Sequence, residues 1–155
     1  EFSTKEKAQS RQGSFVTYYK ALNYRSPFRA EILERDFTFR TEHEFNHLPT
    51  QQLSAKFSAR LRIPRTGRYR FYIDANDGAT IWIGKYKVFD KSDVEAVHYQ
   101  TEEFDLKAGM VPLYVEWYNR TGDGWLGIQW EGPRINRQFL PAKFLRPDPF
   151  VENAD

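Results

Sequence analysis

Two short segments of the chain are rich in side chains that offer oxygen atoms as ligands. They read Asp74-Ala75-Asn76-Asp77-Gly78 and Asn119-Arg120-Thr121-Gly122-Asp123-Gly124. Calcium binds about six to eight oxygens from carboxylates, amides and main-chain carbonyls, so two such loops at one end of a domain would suit the ion. Trp125, which follows the second segment, offers a flat apolar face to a sugar ring. The alternative is two tight turns, in which Asn, Asp and Gly adopt positive φ.

A second pattern, His43-Glu44-Phe45-Asn46-His47, has the HExxH spacing of zinc proteases. Zinc chemistry requires both histidines on one face of a helix, with the glutamate beside the bound water. His98 is the remaining candidate ligand. Leu48-Pro49 follows the motif at once, and no long apolar helix is visible around it. We therefore predict a polar loop here, and a protein that is not an enzyme.

A third pattern is a group of four arginines around the turn at residues 64–67, namely Arg60, Arg62, Arg68 and Arg70. The alternating sequence on both sides predicts a hairpin with Ile63 opposite Tyr69. In that register Arg62 lies opposite Arg70, and like charges directly opposite each other destabilise a sheet. The pattern therefore predicts either neighbouring acids on a solvated face or an anionic partner, which would be an acidic glycan or nucleic acid.

Alternation of apolar and polar residues with a period of two dominates the chain. It is clearest over residues 56–63, 69–73, 79–83, 111–117 and 126–130, with weaker candidates at 14–20, 30–40, 86–90 and 99–106. Such alternation is typical of half-buried strands. Many short strands separated by turns predict an antiparallel β-sandwich or a barrel, and the periodicity does not distinguish the two. A short helical turn is expected near residues 141–145.

Composition narrows the classes of function. The chain has 155 residues, of which 17% are aromatic, so it can form one domain with a packed core. The absence of cysteine excludes a disulfide scaffold, thiol catalysis and cysteine-ligated metals. The net charge of +2 is too small to argue for nucleic acid, and no apolar run approaches the ~20 residues that span a bilayer. We expect neither a nucleic-acid partner nor membrane insertion.

The ends of the chain differ from its middle. Residues 1–12 are polar and are interpreted as a tail or linker, residues 13–146 as the domain, and residues 147–155 as a second linker. Since the chain begins with Glu1 and not with Met, we expect it to be a piece of a larger protein.

The four tryptophans fall into two pairs. Trp117 and Trp130 share strand faces with their apolar neighbours and are predicted to lie in the core. Trp82 and Trp125 have the opposite parity, and a large exposed aromatic needs a reason. Trp125 borders the second oxygen-rich segment and is the candidate sugar platform, whereas Trp82 is expected to pack under a loop or an adjoining domain.

The chain contains seven short motifs, and their order and spacing together are more specific for one protein family than any single motif is. They are YY at 18–19, FSAR at 57–60, IPRTGRYRF at 63–71, NDGATIWI at 76–83, LKAG at 106–109, PLYVEWY at 112–118 and WEGP at 130–133. In these motifs the chain resembles the PA14 domain family, named after anthrax protective antigen. The resemblance implies an all-β, jelly-roll-like antiparallel sandwich that serves as an accessory module of adhesins and secreted enzymes. It also implies an extracellular or cell-surface location, with glycans and other domains of the parent protein as partners.

The resemblance further implies a site. In lectin-like members of the family, two successive aspartates joined by a cis peptide bond hold calcium, a second loop completes the coordination, and sugar hydroxyls bind the ion. The aspartate pair falls on Asn76 and Asp77, and the second loop on residues 119–124. Because Asn76 replaces an aspartate, one negative charge is lost and calcium binding should be weaker. Asp74 lies on the same strand face and could compensate.

The implied site combines metal ligands with residues that contact the sugar. The implied metal ligands are Asn76, Asp77, Asp123 and Asp74. The implied sugar-contacting residues are Trp125, Asn119, Gly122 and Gly124. We predict a non-catalytic carbohydrate-binding module with calcium as its possible cofactor, and the alternative is a structural or protein-interaction module that binds neither sugar nor calcium.

Overall fold

A computed structural model of the chain describes residues 11–43, 48–93 and 99–151. Within these ranges the chain forms twelve strands and two short 3-10 turns. The strands are β1 (Ser14–Tyr19), β2 (Pro27–Leu33), β3 (Thr38–Arg40), β4 (Gln51–Ile63), β5 (Gly67–Asn76), β6 (Gly78–Ile83), β7 (Tyr86–Lys91), β8 (Tyr99–Leu106), β9 (Gly109–Thr121), β10 (Trp125–Gly132), β11 (Ile135–Phe139) and β12 (Leu145–Pro147). The turns span Thr41–His43 and Ala142–Phe144, and the second confirms the helical turn expected near the C-terminus. No helix in the described ranges has the length and apolar character to cross a membrane.

The strands form two antiparallel sheets. The larger sheet has the order β2-β1-β4-β9-β6-β7, with β12 also paired to β4. The smaller sheet has the order β11-β10-β5-β8, with β3 also paired to β10. The inward-facing apolar residues of both sheets form one core. The predicted antiparallel β-sandwich is confirmed, and the two separate sheets exclude a single closed barrel.

The tryptophans follow strand parity. Trp117 and Trp130 are fully buried in the core, as their parity predicted. Trp82 is also buried, but it lies on the outer face of the larger sheet. There its ring centre lies 5.5 Å from that of Tyr114, and the Lys87 ammonium lies 5.7 Å from the ring. Side chains of neighbouring strands therefore cover Trp82, and no loop or adjoining domain is needed to do so.

The predicted hairpin around residues 64–67 is wrong. β4 belongs to the larger sheet and β5 to the smaller one, so this turn carries the chain from one sheet to the other. A hairpin within one sheet and a crossing between two sheets produce the same sequence pattern, because in each the odd-numbered residues of both strands point into the core.

The four arginines consequently do not oppose one another. Arg62 lies opposite Met110, and its guanidinium stacks 4.5 Å from the centre of the Phe144 ring. The other three form ion pairs, namely Arg60 with Asp148 at 3.7 Å, Arg68 with Asp105 at 3.5 Å and Arg70 with Glu131 at 4.0 Å. Three of the four arginines therefore have the neighbouring acids that the sequence predicted, and the opposed pair that needed an explanation is not formed.

Candidate functional site

Strand pairing brings the two oxygen-rich segments together at one end of the smaller sheet. Asn76, the last residue of β5, lies opposite Trp125, the first residue of β10. Asn76 Nδ2 donates a hydrogen bond to the main-chain oxygen of Asp123 at 3.1 Å. The main-chain N–H of Arg120 donates to Asp77 Oδ2 at 2.7 Å. The first segment is therefore bridged to the second at two points.

Core residues fix the strand ends beneath this junction. The Trp117 indole N–H donates to the main-chain oxygens of Asn76, at 2.9 Å, and Trp125, at 3.1 Å. The main-chain N–H of Asp77 donates to the Tyr118 oxygen at 2.9 Å. The peptide bond between Asn76 and Asp77 is cis. The junction thus rests on a fully buried indole that holds β5 and β10 at a set separation.

Asn119 lies wholly buried beneath the second segment. Its Nδ2 donates to the Gly122 oxygen at 2.8 Å, whereas its Oδ1 has no hydrogen-bond partner among the described residues. A buried acceptor without a partner costs about 1–3 kcal/mol. A cation or a bound water at this oxygen would remove that cost.

Two glycines allow the second segment to close over Asn119. Gly122 has φ of +78°, in the left-handed region that favours glycine. A Cβ on Gly124 would lie 2.7 Å from Trp117 Cζ2 and 2.8 Å from Asn119 Cγ. Both glycines therefore admit the loop geometry, and only their main-chain groups could contact a ligand.

The Asp123 carboxylate points toward β3. Its Oδ2 accepts from Arg40 Nη1 at 2.8 Å and its Oδ1 from Thr41 Oγ1 at 3.0 Å. Thr41 is also tied to Gly124, through a main-chain hydrogen bond of 2.9 Å and through its Oγ1, which accepts from the Gly124 N–H at 3.0 Å. The atom that Asp123 presents to Asn76 is therefore its main-chain oxygen.

Arg40 also covers Trp125. The two residues lie opposite each other in the pairing of β3 with β10, and the Arg40 guanidinium lies 4.7 Å from the centre of the half-buried Trp125 ring. A guanidinium at this distance is attracted to the ring face. The candidate sugar platform thus has one face occupied by a cation.

Asp74 lies farther from the junction than the other candidate ligands. It is half-buried on the same outward face of β5 as Asn76, because Ile73 and Ala75 face the core. It lies opposite Gly127, which places its Cα about 7 Å back along the strand from that of Asn76. Asp74 therefore borders the site from the sheet side.

The oxygens at the junction suit calcium in kind. They come from the Asp77 carboxylate, the Asn76 and Asn119 amides and the Asp123 main chain. Among the described residues, no three His, Asp or Glu side chains converge, so a cation here would depend on amide and carbonyl oxygens. The Asp123 carboxylate is turned to Arg40, and the Asp77 carboxylate is hydrogen-bonded across the junction. Low ligand charge weakens a calcium site.

An ion pair flanks the junction on its outer side. Arg120 Nη1 donates to Asp93 Oδ1, and the Tyr118 hydroxyl donates to the same oxygen at 3.2 Å. The hydrogen bond from Arg120 holds the pKa of Asp93 below its ordinary value. The contact connects the segment after β7 to the end of β9, next to Asp77.

The zinc pattern cannot be placed in the same way. Residues 44–47 and His98 lie outside the described residues, and of His43 only the main chain, at the end of the first 3-10 turn, is described.

The structure also adds to the site two residues that the sequence did not predict, Arg40 and Thr41. Nothing in their local sequence indicates that they belong to the site, because they lie more than 80 residues before Asp123 in the chain.

Solved structures share this fold. An anti-sigma factor domain-containing protein from Clostridium clariflavum is 27% identical to the chain with a TM-score of 0.76, over 96% of this chain and 51% of that one. A PA14 sugar-binding domain from an RTX adhesin is 15% identical with a TM-score of 0.70, over 90% and 100%. The Epithelial Adhesin 9 A domain from Candida glabrata, solved with Galb1-3GlcNAc, is 12% identical with a TM-score of 0.70, over 93% and 92%. The chain therefore spans about half the length of the anti-sigma factor structure and nearly all of the two adhesin domains.

Sequence comparison supplies the family. No curated protein matches the chain. The family model of the PA14 domain matches residues 10–141, which covers most of the chain and agrees with the motifs described above. The chain belongs to the PA14 domain family.

Proposed function

We propose that this domain is a non-catalytic carbohydrate-binding module that takes a sugar at the junction of the two oxygen-rich segments, with calcium bound there. The observation that carries the proposal is the buried Asn119 Oδ1, which lacks a partner among the described residues in a segment bridged to Asn76 and Asp77. A buried acceptor of this kind is costly unless something binds it.

Each residue has a separate task in this proposal. Asp77 supplies the negative charge, and the Arg120 N–H orients its carboxylate. Asn119, Asn76 and the main-chain oxygen of Asp123 supply neutral oxygens. A calcium ion held by these oxygens would supply coordination positions for sugar hydroxyls. The part of the Trp125 ring that Arg40 does not contact packs against the apolar side of the sugar ring, and recognition proceeds without cleavage of a bond.

Related proteins support this assignment by analogy. The RTX adhesin domain is described as sugar-binding, and the Candida glabrata adhesin domain was solved with a galactose-containing disaccharide. We extend this to the present chain as a module of a secreted or cell-surface protein, where glycans and neighbouring domains are its partners. A weak single site would gain strength from multivalency or from tethering to other domains.

Calorimetric titration of calcium into chelator-treated domain tests the site. We expect a one-site isotherm that is lost in Asp77→Asn and retained in Asp105→Asn, an exposed acid on β8. A glycan array with and without calcium then tests sugar binding, with Trp125→Ala as the variant that removes the platform. An array without signal in either condition would contradict the proposal.

A second candidate function is a structural or protein-interaction module. It is favoured by the Arg40 side chain, which covers one face of Trp125 and holds the Asp123 carboxylate. In this case the junction is closed by its own side chains and binds nothing. Calcium titrations without heat, together with retained association with neighbouring domains of the parent protein, would favour this candidate.

A further inference from the structure

The outer face of the larger sheet carries an ordered arrangement of side chains that takes no part in the junction of the two oxygen-rich segments. Strands β1, β4 and β9 lie side by side there, and their registers align outward-facing residues in three rows. The rows are Phe15-Ser58-Tyr114, Thr17-Lys56-Glu116 and Tyr19-Ser54-Tyr118. A polar and charged row therefore runs between two rows that begin and end in aromatic rings.

This surface is a groove and not a flat sheet. The segment after β12 crosses it, with the Asp148 N–H reaching the Ser58 oxygen at 3.5 Å. Pro149 and Val151 of that segment form one wall. The volume of the groove is about 320 Å³, at the lower end of the ~300–1,000 Å³ typical of small-molecule sites.

The charges in the groove are balanced. Lys56 and Glu116 lie directly opposite each other on neighbouring strands, so their formal charges cancel. The Lys56 ammonium lies 5.8 Å from the centre of the Tyr19 ring and 5.6 Å from that of Tyr24. The groove therefore offers a donor and an acceptor without attracting an anion or a cation.

Two phenols keep their protons here, that of Tyr114 in the groove and that of Tyr24 beside Lys56. The Tyr114 hydroxyl donates to Glu116 Oε2 at 3.1 Å, and the Glu116 carboxylate can accept further bonds. Burial, followed by the negative charge of Glu116, raises the pKa of Tyr114 and of Tyr24. These phenols stay protonated at any physiological pH.

We propose that this groove is a second binding site, which takes a neutral saccharide of one or two rings without a cation. Tyr114 is buried against Trp82, so the partly exposed rings of the groove are those of Phe15 and Tyr19. These rings beside the Lys56 ammonium and the Glu116 carboxylate match the apolar faces and hydroxyls of a sugar. The site does not rest on the calcium-loop proposal.

NMR titration of the isotopically labelled domain with cellobiose and lactose, in excess chelator, tests the site. Saturable shifts should cluster at residues 15–19, 54–58 and 114–116. Chelator disables any calcium-dependent binding, and an Asp77→Asn sample should give the same shifts. Shifts at residues 74–77 and 119–125 instead would overturn this proposal and leave the loop site standing, and a titration with no saturable shifts would also overturn it.

Variants then assign the contacts. Lys56→Met keeps the aliphatic stem but removes the donor, and we expect affinity to fall about tenfold. Glu116→Gln removes the charge of the acceptor, and we expect affinity for the sugar to fall. Its matched control is Asp90→Asn, an acid-to-amide change at an exposed position two strands away in the same row, which should leave the affinity unchanged. Circular dichroism checks that each variant is folded. If galacturonate or glucosamine binds the groove about tenfold more tightly than the neutral sugars, the assignment to a neutral ligand is overturned.

Discussion

The Arg40 guanidinium lies 4.7 Å from the centre of the Trp125 ring while its Nη1 donates to Asp123 Oδ2 at 2.8 Å. One side chain of the short strand β3 therefore contacts both the acid at the end of the second segment and the aromatic residue that follows it. Because β3 pairs with β10 at this point, the second segment is held from the side as well as from the core below. Its shape is consequently set before any ligand arrives.

Arg40→Ala should lower the free energy of unfolding by about 1 kcal/mol. The ion pair is partly exposed and so is worth less than a buried one, and the ring contact adds about 0.5–1 kcal/mol. Urea denaturation measures the change. The control is Arg68→Ala, whose ion pair with Asp105 is 71% and 78% exposed and should contribute almost nothing. Equal losses in the two variants would show that Arg40 does not brace the segment.

Asn76→Asp should bind calcium about tenfold more tightly than the native domain, because it restores a second acidic ligand. Without calcium the same variant should be less stable by about 0.5–1.5 kcal/mol, since the hydrogen bond from Asn76 Nδ2 to the Asp123 oxygen is lost. Calorimetry measures the affinity, and thermal unfolding with and without calcium measures the stability. A variant that gains no affinity would indicate that Asn76 does not face the ion.

Gly124→Ala should cost about 1–3 kcal/mol through overpacking, because the added Cβ meets the Trp117 ring and the Asn119 side chain, both fully buried. Gly122→Ala is the matched control. Nothing lies within 4 Å of its added Cβ, so it should cost only the strain of positive φ, about 1 kcal/mol. Urea denaturation of both variants separates packing from backbone strain. If Gly124→Ala is as stable as the native domain, the close contact at Gly124 relaxes without cost.

Strand positions could be predicted from the sequence, but the sheet to which each strand belongs could not. The alternation in β4 and β5 fixes which residues face the core, and both strands are present. It does not record whether the turn that begins at Pro64 closes a hairpin or crosses the sandwich, since the core lies between the two sheets and receives side chains from either. The predicted pairing of Arg62 with Arg70 was therefore wrong, whereas the burial of Trp117 and Trp130 was predicted correctly.

The composition of the candidate site was visible in the sequence because its oxygen-bearing residues are contiguous. The contact of Arg40 with Asp123, which braces the site, was not visible. The two residues are 83 positions apart and meet only through the register of β3 on β10. The direction of the Asp123 carboxylate depends on that register. The outer groove was missed for the same reason, since its three rows exist only once β1, β4 and β9 are aligned.

The ion pair between Asp93 and Arg120 makes a prediction about pH. The hydrogen bond from Arg120 holds the pKa of Asp93 below its ordinary value of 3.8, so the folded state favours the charged carboxylate. The stabilising contribution of this group is therefore present above that value and is lost as the pH falls through the lower pKa of the folded state. Carboxyl NMR titration should give a midpoint below 3.8 for Asp93 in the native domain.

Arg120→Gln removes the guanidinium but keeps the main-chain hydrogen bond to Asp77, so the Asp93 midpoint should rise toward its ordinary value while the junction is preserved. Tyr118→Phe removes the weaker hydrogen bond to the same carboxylate and should raise the midpoint less. High salt should reduce the difference between native domain and Arg120→Gln, because the pair is exposed to solvent. An Asp93 midpoint that does not move in Arg120→Gln would show that the pair is not formed in solution.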